Sequence, residues 1–135
     1  MSEFSGLVQA YYQNPVNNRT MNDATISRHE GNELCGDDLT VYLKIENNVI
    51  TDWSYDGMPS MITQAAASFF SELIRGKTLD EVFWMSEQTM KENDFIVSPR
   101  RRRASVIAIL ATRNAVHEYL KDGKVENFEH LLTRE

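Results

Sequence analysis

The stretch Leu39-Thr40-Val41-Tyr42-Leu43-Lys44-Ile45-Glu46-Asn47-Asn48-Val49-Ile50-Thr51-Asp52-Trp53-Ser54-Tyr55 decides the fold. Leu39, Val41, Leu43 and Ile45 alternate with Thr40, Tyr42, Lys44 and Glu46. Successive strand side chains point to opposite faces, so this period predicts one buried and one solvated face. Asn47-Asn48 follows, and asparagine tolerates the positive φ that a two-residue hairpin turn requires. From Val49 the chain turns β-branched and aromatic. Val49, Thr51, Trp53 and Tyr55 share one face, and Ile50, Asp52, Ser54 and Asp56 the other. Together these features predict an antiparallel hairpin.

Towards the N-terminus, Ala24 to His29 alternates weakly and predicts a further strand, with Asn17 to Asn22 as polar loop. Phe4, Leu7, Val8 and Tyr11 recur at helical spacing, so Ser2 to Tyr12 predicts a short helix. Asn14-Pro15 ends it, because the residue before proline is driven out of the helical region.

Beyond the hairpin, Gly57 marks a turn and Ser60 to Arg75 predicts an apolar helix closed by Gly76. Thr78 with Glu81 forms a capping-box pattern, predicting a short helix to about Glu87. Glu92 to Ser98 reads as loop, with an extended piece at Phe95-Ile96-Val97. Ala104 to Leu120 gives the strongest helical pattern, closed by Gly123. Its wide apolar face (Val106, Ile107, Leu110, Ala111, Val116, Tyr119) predicts a central place in the core. Val125 to Glu135 reads as a last short helix or a loosely docked tail. Recurrent strand-helix-strand crossovers are missing from this order. It predicts an α+β fold, with a small antiparallel sheet of about three strands and helices packed on one side.

The chain of 135 residues fits one domain. A net charge of -6 argues against a nucleic-acid surface, which needs a basic field. No run reaches the length of a membrane span, and no basic segment precedes an apolar one at the N-terminus. A single cysteine rules out an intramolecular disulfide and fits a reducing compartment, so the expectation is a cytoplasmic protein.

The order of several short motifs resembles the scaffold proteins of iron-sulfur cluster assembly, the IscU/SufU/NifU N-terminal family. Asn14-Pro15-Val16-Asn17 is similar to the family's N-terminal Asn-Pro-Arg-Asn, with Val16 in place of arginine. Cys35-Gly36-Asp37 matches its first cysteine motif, and the hairpin follows as expected. Ser60-Met61-Ile62-Thr63-Gln64-Ala65 resembles the segment that opens on the family's second cysteine. Gly76-Lys77-Thr78 matches the turn after that helix, and the Pro99 region with the helix from Ala104 resembles the segment of the third cysteine. The resemblance runs from Tyr11 to Tyr119. It implies a NifU N-terminal-like fold, and a role in coordination or sulfur acceptance without turnover of a small substrate. It also implies a cluster-assembly partner such as a cysteine desulfurase, or a second copy of the chain in a homodimer.

The departures define the functional question. The family holds an iron-sulfur cluster or zinc with cysteines and a nearby aspartate. Here only Cys35 is left, Ser60 stands at the second cysteine position and Ala104 at the third. Arg103 stands just before that third position, where the IscU branch often has histidine. The chaperone-recognition element of that branch has become Pro99-Arg100-Arg101. Zinc and cluster iron need several thiolate or imidazole ligands. Cys35 and Asp37 supply two candidate ligands, serine is a poor substitute for thiolate and alanine offers nothing. A three-cysteine site within one chain is excluded, whereas a cluster shared by two chains through Cys35 and Asp37 is not. None of the histidines has metal-site spacing, and His29 reads as a surface residue.

Cys35 has two readings: a small buried hydrophobe, or an exposed thiol able to accept sulfur as a persulfide. Arg100-Arg101-Arg102-Arg103 has two as well: a solvated first turn balanced by acidic residues, or a patch for an acidic partner or small anion at a helix N-terminus. Trp53, Trp84, Met58 and Met61 read as packing residues. The competing function is a metal-free interaction or regulatory protein on the same fold.

Overall fold

The computed structural model describes residues 5–32 and 37–133. Cys35 and Gly36, and the start of the predicted N-terminal helix at Ser2 to Phe4, lie outside them. The described elements are α1 (Gly6–Gln13), β1 (Ile26–Asn32), β2 (Asp37–Glu46), β3 (Val49–Met58), α2 (Met61–Ile74), α3 (Leu79–Val82), α4 (Glu87–Glu92) and α5 (Arg102–Leu120). Short 3-10 turns at Pro99–Arg101 and Phe128–His130 flank α5 and its C-terminal extension.

The three strands form one antiparallel sheet in the order β1-β2-β3. The hairpin turns at Asn47 and Asn48, whose φ values of 53° and 61° are those the sequence predicts for a tight turn. Leu39, Val41 and Leu43 of β2 and Trp53 and Tyr55 of β3 are fully buried on the face that α2 and α5 cover. Burying each large apolar side chain contributes about 1.5–3 kcal/mol. Two polar handles fix the aromatic pair. The Trp53 indole N–H donates to Thr112 Oγ1 on α5 at 2.9 Å, and the Tyr55 hydroxyl meets Ser68 Oγ on α2 at 2.5 Å. Phe70 stands edge-on to Trp53, with centroids 5.5 Å apart.

The outer edge of β3 is covered by other parts of the chain. Tyr55 N–H donates to the Asn17 carbonyl at 3.1 Å, while Ile50 exchanges backbone hydrogen bonds with Lys77 and Gly76. An edge paired in this way offers less template for unwanted strand addition. α1 packs on α2, and α5 crosses behind β1 and β2, against α2 and α4, with most of its length buried. No helix among the described residues is long and apolar enough to cross a membrane.

Several local expectations shift. The first strand runs Ile26–Asn32, later than Ala24 to His29, because its pairing partner is the β2 segment from Asp37 to Leu43. The Thr78–Glu81 capping box forms, yet its helix ends at Val82, and Ser86 opens a separate helix with its own capping box. Glu92 is the last residue of that helix, so the loop expected over Glu92 to Ser98 starts one residue later, and Phe95 within it is buried. α5 begins at Arg102, two residues early, and Lys121, at φ 55°, takes the left-handed cap position expected at Gly123. Trp84 and Met58 are corrections: they are 86% and 74% exposed and do not pack in the core. Tyr119, too, lies off the buried face.

Candidate functional site

The described part of the candidate site lies where β2 begins, at the mouth of the β1–β2 hairpin. Asp37 is the first residue of β2, paired with Asn32. Its neighbours pinch the strand closely. A Cβ on Gly31 would sit 2.0 Å from the Asp37 carbonyl oxygen, and one on Gly57 would sit 2.5 Å from that of Asp38. Both glycines also have strongly positive φ, so side chains are excluded there on two grounds.

This packing aims the Asp37 side chain at the start of α2. Its Oδ1 accepts the Ser60 backbone N–H at 3.1 Å and the Thr63 hydroxyl at 2.6 Å. The Ser60 hydroxyl in turn donates to Thr63 Oγ1 at 3.2 Å. Ser60 is the N-cap residue of α2 but makes no side-chain cap of its own, so Asp37 supplies the oxygen from another element. A carboxylate is well placed there, since the first turn of a helix carries unpaired N–H groups and positive field.

Ala104 lies in the first turn of α5, half-buried against the core. One turn further on, the Ile107 methyl would lie 3.2 Å from a Cβ at Gly31, so α5 packs on the same hairpin mouth. The structure thus bonds Asp37 to Ser60 directly, while Ala104 lies on α5 one turn before Ile107, the residue that packs at Gly31. The donor set among the described residues is one carboxylate, two neutral hydroxyls and a methyl group. Among them there is also no group of three His, Cys, Asp or Glu side chains arranged to hold a metal ion. The described residues alone do not fit a cluster or a zinc ion.

His29 and Asp38 sit on the opposite face of the sheet from Asp37, where His29 Nε2 bonds the Asp38 carboxylate and its side chain is 53% exposed. The four arginines do not share one role. Arg102 makes a bidentate pair with buried Glu87, through Nε at 2.8 Å and Nη2 at 2.7 Å, and also donates to the Thr133 carbonyl. Burial pushes the Glu87 carboxyl up, but Arg102 and Thr133 outweigh it and hold it down at about 2. Arg103 lies over the Phe128 ring, 5.6 Å from its centroid. Arg100 and Arg101 belong to the preceding 3-10 turn.

The sequence reading missed a second polar cluster, on the side of α5 facing the C-terminal segment. His117 is buried, with Nδ1 2.7 Å from Asp122 and Nε2 2.6 Å from Glu126. Arg113 pairs with Glu126 at 2.5 Å and donates to the Met85 carbonyl at 2.8 Å. Phe83 stacks on the His117 ring. These groups line an open cleft of about 560 Å³. His117 and its acidic partners are five and nine residues apart and straddle a helix end, a separation that no helical or strand period reveals.

A model of the NifU-like N-terminal domain matches residues 3–126. The chain belongs to that family. Iron-sulfur cluster assembly scaffold protein IscU 1 of Archaeoglobus fulgidus is 29% identical over 129 residues, which span 95% of this chain and 84% of the relative. The zinc-dependent sulfurtransferase SufU of Bacillus subtilis is 27% identical over 81 residues, 60% of this chain and 54% of that protein. Among solved structures, the N-terminal part of a NifU-like protein from Brucella abortus has the same fold, with a TM-score of 0.71 and 19% identity over 88% of this chain and 95% of that one. The resemblance drawn from the motifs and the α+β fold expected from the hairpin both hold. This chain has a single cysteine, Cys35.

Proposed function

We propose that this protein serves iron-sulfur cluster assembly as a sulfur acceptor at Cys35, and does not hold a cluster within one chain. The observation that carries the reading is the donor set at the hairpin mouth. Asp37 is engaged as the cap of α2, and the two positions that resemble family thiol sites hold a serine bonded to Thr63 and an alanine. Membership of the NifU-like family and the scaffold and sulfurtransferase names of its relatives supply the context.

The partner is a protein persulfide donor of the cysteine desulfurase type. The Cys35 thiolate attacks the terminal sulfur of the donor persulfide. A new S–S bond forms on Cys35, the donor S–S bond breaks, and the donor cysteine leaves as a thiolate that takes up a proton from solvent. Electrons balance without an added oxidant or reductant. The protein is then a carrier of sulfur with no small-molecule turnover. We infer a cytoplasmic setting, where the single thiol stays reduced.

The test combines sulfur transfer with anaerobic reconstitution. Purified protein is incubated with a cysteine desulfurase and radiolabelled cysteine, then resolved without reductant. Label on the wild-type chain, absent from Cys35→Ser and removed by thiol reductant, is the expected result. In parallel, iron and sulfide should leave the protein colourless. A desulfurase that labels a SufU control but not this chain overturns sulfur acceptance. A coloured cluster eluting with a dimer overturns the acceptor-only reading in favour of a cluster shared between two chains.

A further inference from the structure

We propose that residues 121–126 form a strap that is held against α5 while His117 is protonated and opens when the ring loses its proton. Both ring nitrogens face carboxylate oxygens of the strap, Asp122 at 2.7 Å and Glu126 at 2.6 Å. Only an imidazolium can donate from both nitrogens. A neutral ring would turn one lone pair towards a carboxylate at hydrogen-bond distance, in a site where the ring is 7% exposed and covered by Phe83. Loss of the proton therefore replaces an attractive contact with a repulsive one.

The remaining anchors decide how far the opening spreads. Glu126 is also tied by its backbone, donating to Asn114 Oδ1 at 2.7 Å and accepting from Asn114 Nδ2 at 3.1 Å, and by Arg113. Further along, Leu131 is buried, its carbonyl accepts the Glu87 N–H at 3.0 Å, and Thr133 is bonded to Glu87. Neither these contacts nor those of Asn114 and Arg113 to Glu126 involve His117, so the chain stays docked from Glu126 onwards and residues 121–125 of the strap carry the change.

The charged groups facing the ring are Arg113 on α5 and Asp122, Lys124, Glu126 and His130 on the C-terminal segment. β1 contributes Glu30, which reaches the cluster through Asn114, and the turn after α3 contributes the Phe83 ring. The Asp122 carboxyl lies below its usual range, chiefly through the His117 hydrogen bond. Glu126 is raised by burial, but Arg113 and His117 outweigh this and lower it. Both carboxylates are ionised at neutral pH. His130 acts in the opposite sense: its Nδ1 accepts the Asn127 N–H at 3.0 Å, a contact that protonation would break. Opening the strap would uncover Phe83 and Arg113 at the cleft.

Hydrogen exchange of the 135-residue chain, measured from mildly acidic to alkaline pH and corrected for the intrinsic pH dependence of exchange, tests this. Charge-assisted hydrogen bonds are strong enough that opening of residues 121–125 should increase roughly tenfold or more. Protection of β2 and α2 should stay constant, and His130→Gln should leave the alkaline opening in place. His117→Gln should expose the segment at every pH. In Asp122→Asn/Glu126→Gln a neutral ring can donate to one amide and accept from the other, so protection should persist at alkaline pH. Wild-type protection that does not change with pH, or that falls together with β2, overturns the proposal. So does opening of the double amide variant at the same pH as wild type.

Discussion

The hairpin mouth and the C-terminal side of α5 treat polar groups in opposite ways. At the mouth, one carboxylate caps a helix and the neighbouring positions are a hydroxyl and a methyl group. Across α5, charges are plentiful, buried and paired: Glu87 with Arg102, Glu126 with Arg113, and His117 between two carboxylates. Among the described residues, the region that family resemblance marks for metal chemistry holds a helix cap, whereas the region without a motif holds the ion network. A buried ion pair is weak evidence for net stability, but removing one partner strands a charge, so such a network resists piecemeal loss. A ligand site has no such protection once its ligands are replaced by groups that pair locally.

The sharpest way to break this contrast is to restore the missing thiols. Ser60→Cys/Ala104→Cys places two cysteines at the mouth that Cys35 adjoins in sequence. Anaerobic reconstitution should then give the visible absorption of bound iron and sulfide. A folded variant that stays colourless would show that the mouth is no longer arranged for ligation.

Arg102→Ala probes the other region. It leaves the buried Glu87 carboxylate without its bidentate partner and should cost about 3–5 kcal/mol in a urea titration. A loss below about 1 kcal/mol, the level of a surface pair, would mean that the network contributes little. The same pair has a pH signature. Glu87 is depressed from 4.5 to about 2 in the folded protein, so its contribution is complete above pH 4.5 and is lost as pH falls towards 2. Arg102→Ala should flatten that part of the acid denaturation curve.

The smallest effect is expected at the mouth. Asp37→Ala removes an acceptor from the start of α2 and should cost about 0.5–2 kcal/mol, the range of a lost helix cap. A loss as large as that of Arg102→Ala would erase the distinction between the two regions.

Much of this was legible before folding. The alternation from Leu39 to Ile45, the Asn47-Asn48 turn and the apolar stripes of α2 and α5 are local patterns, and local patterns report which face is buried. The motif order around Cys35, Ser60 and Ala104 showed the family and the missing thiols, because identity at a position needs no coordinates. The split between α3 and α4 was hidden because Ser86 begins a new cap inside what reads as one segment. Trp84 looked like core because its residue type is usually buried, yet it sits on a turn that faces solvent.

Composition and order therefore determined the α+β class, the hairpin and the absence of a three-thiol site, but not the register of β3, where a shift between Lys44 and Ile45 turns Ile50 into the core and leaves Thr51, expected on the Trp53 face, exposed. Only the tertiary structure decided where the charges go. Glu87 meets Arg102 fifteen residues away and Thr133 forty-six residues away, and Asp37 finds Ser60 across twenty-three. Such pairings depend on how α5, the sheet and the C-terminal segment pack together. A one-dimensional pattern carries the period of an element but not the identity of the partner that packing brings to it.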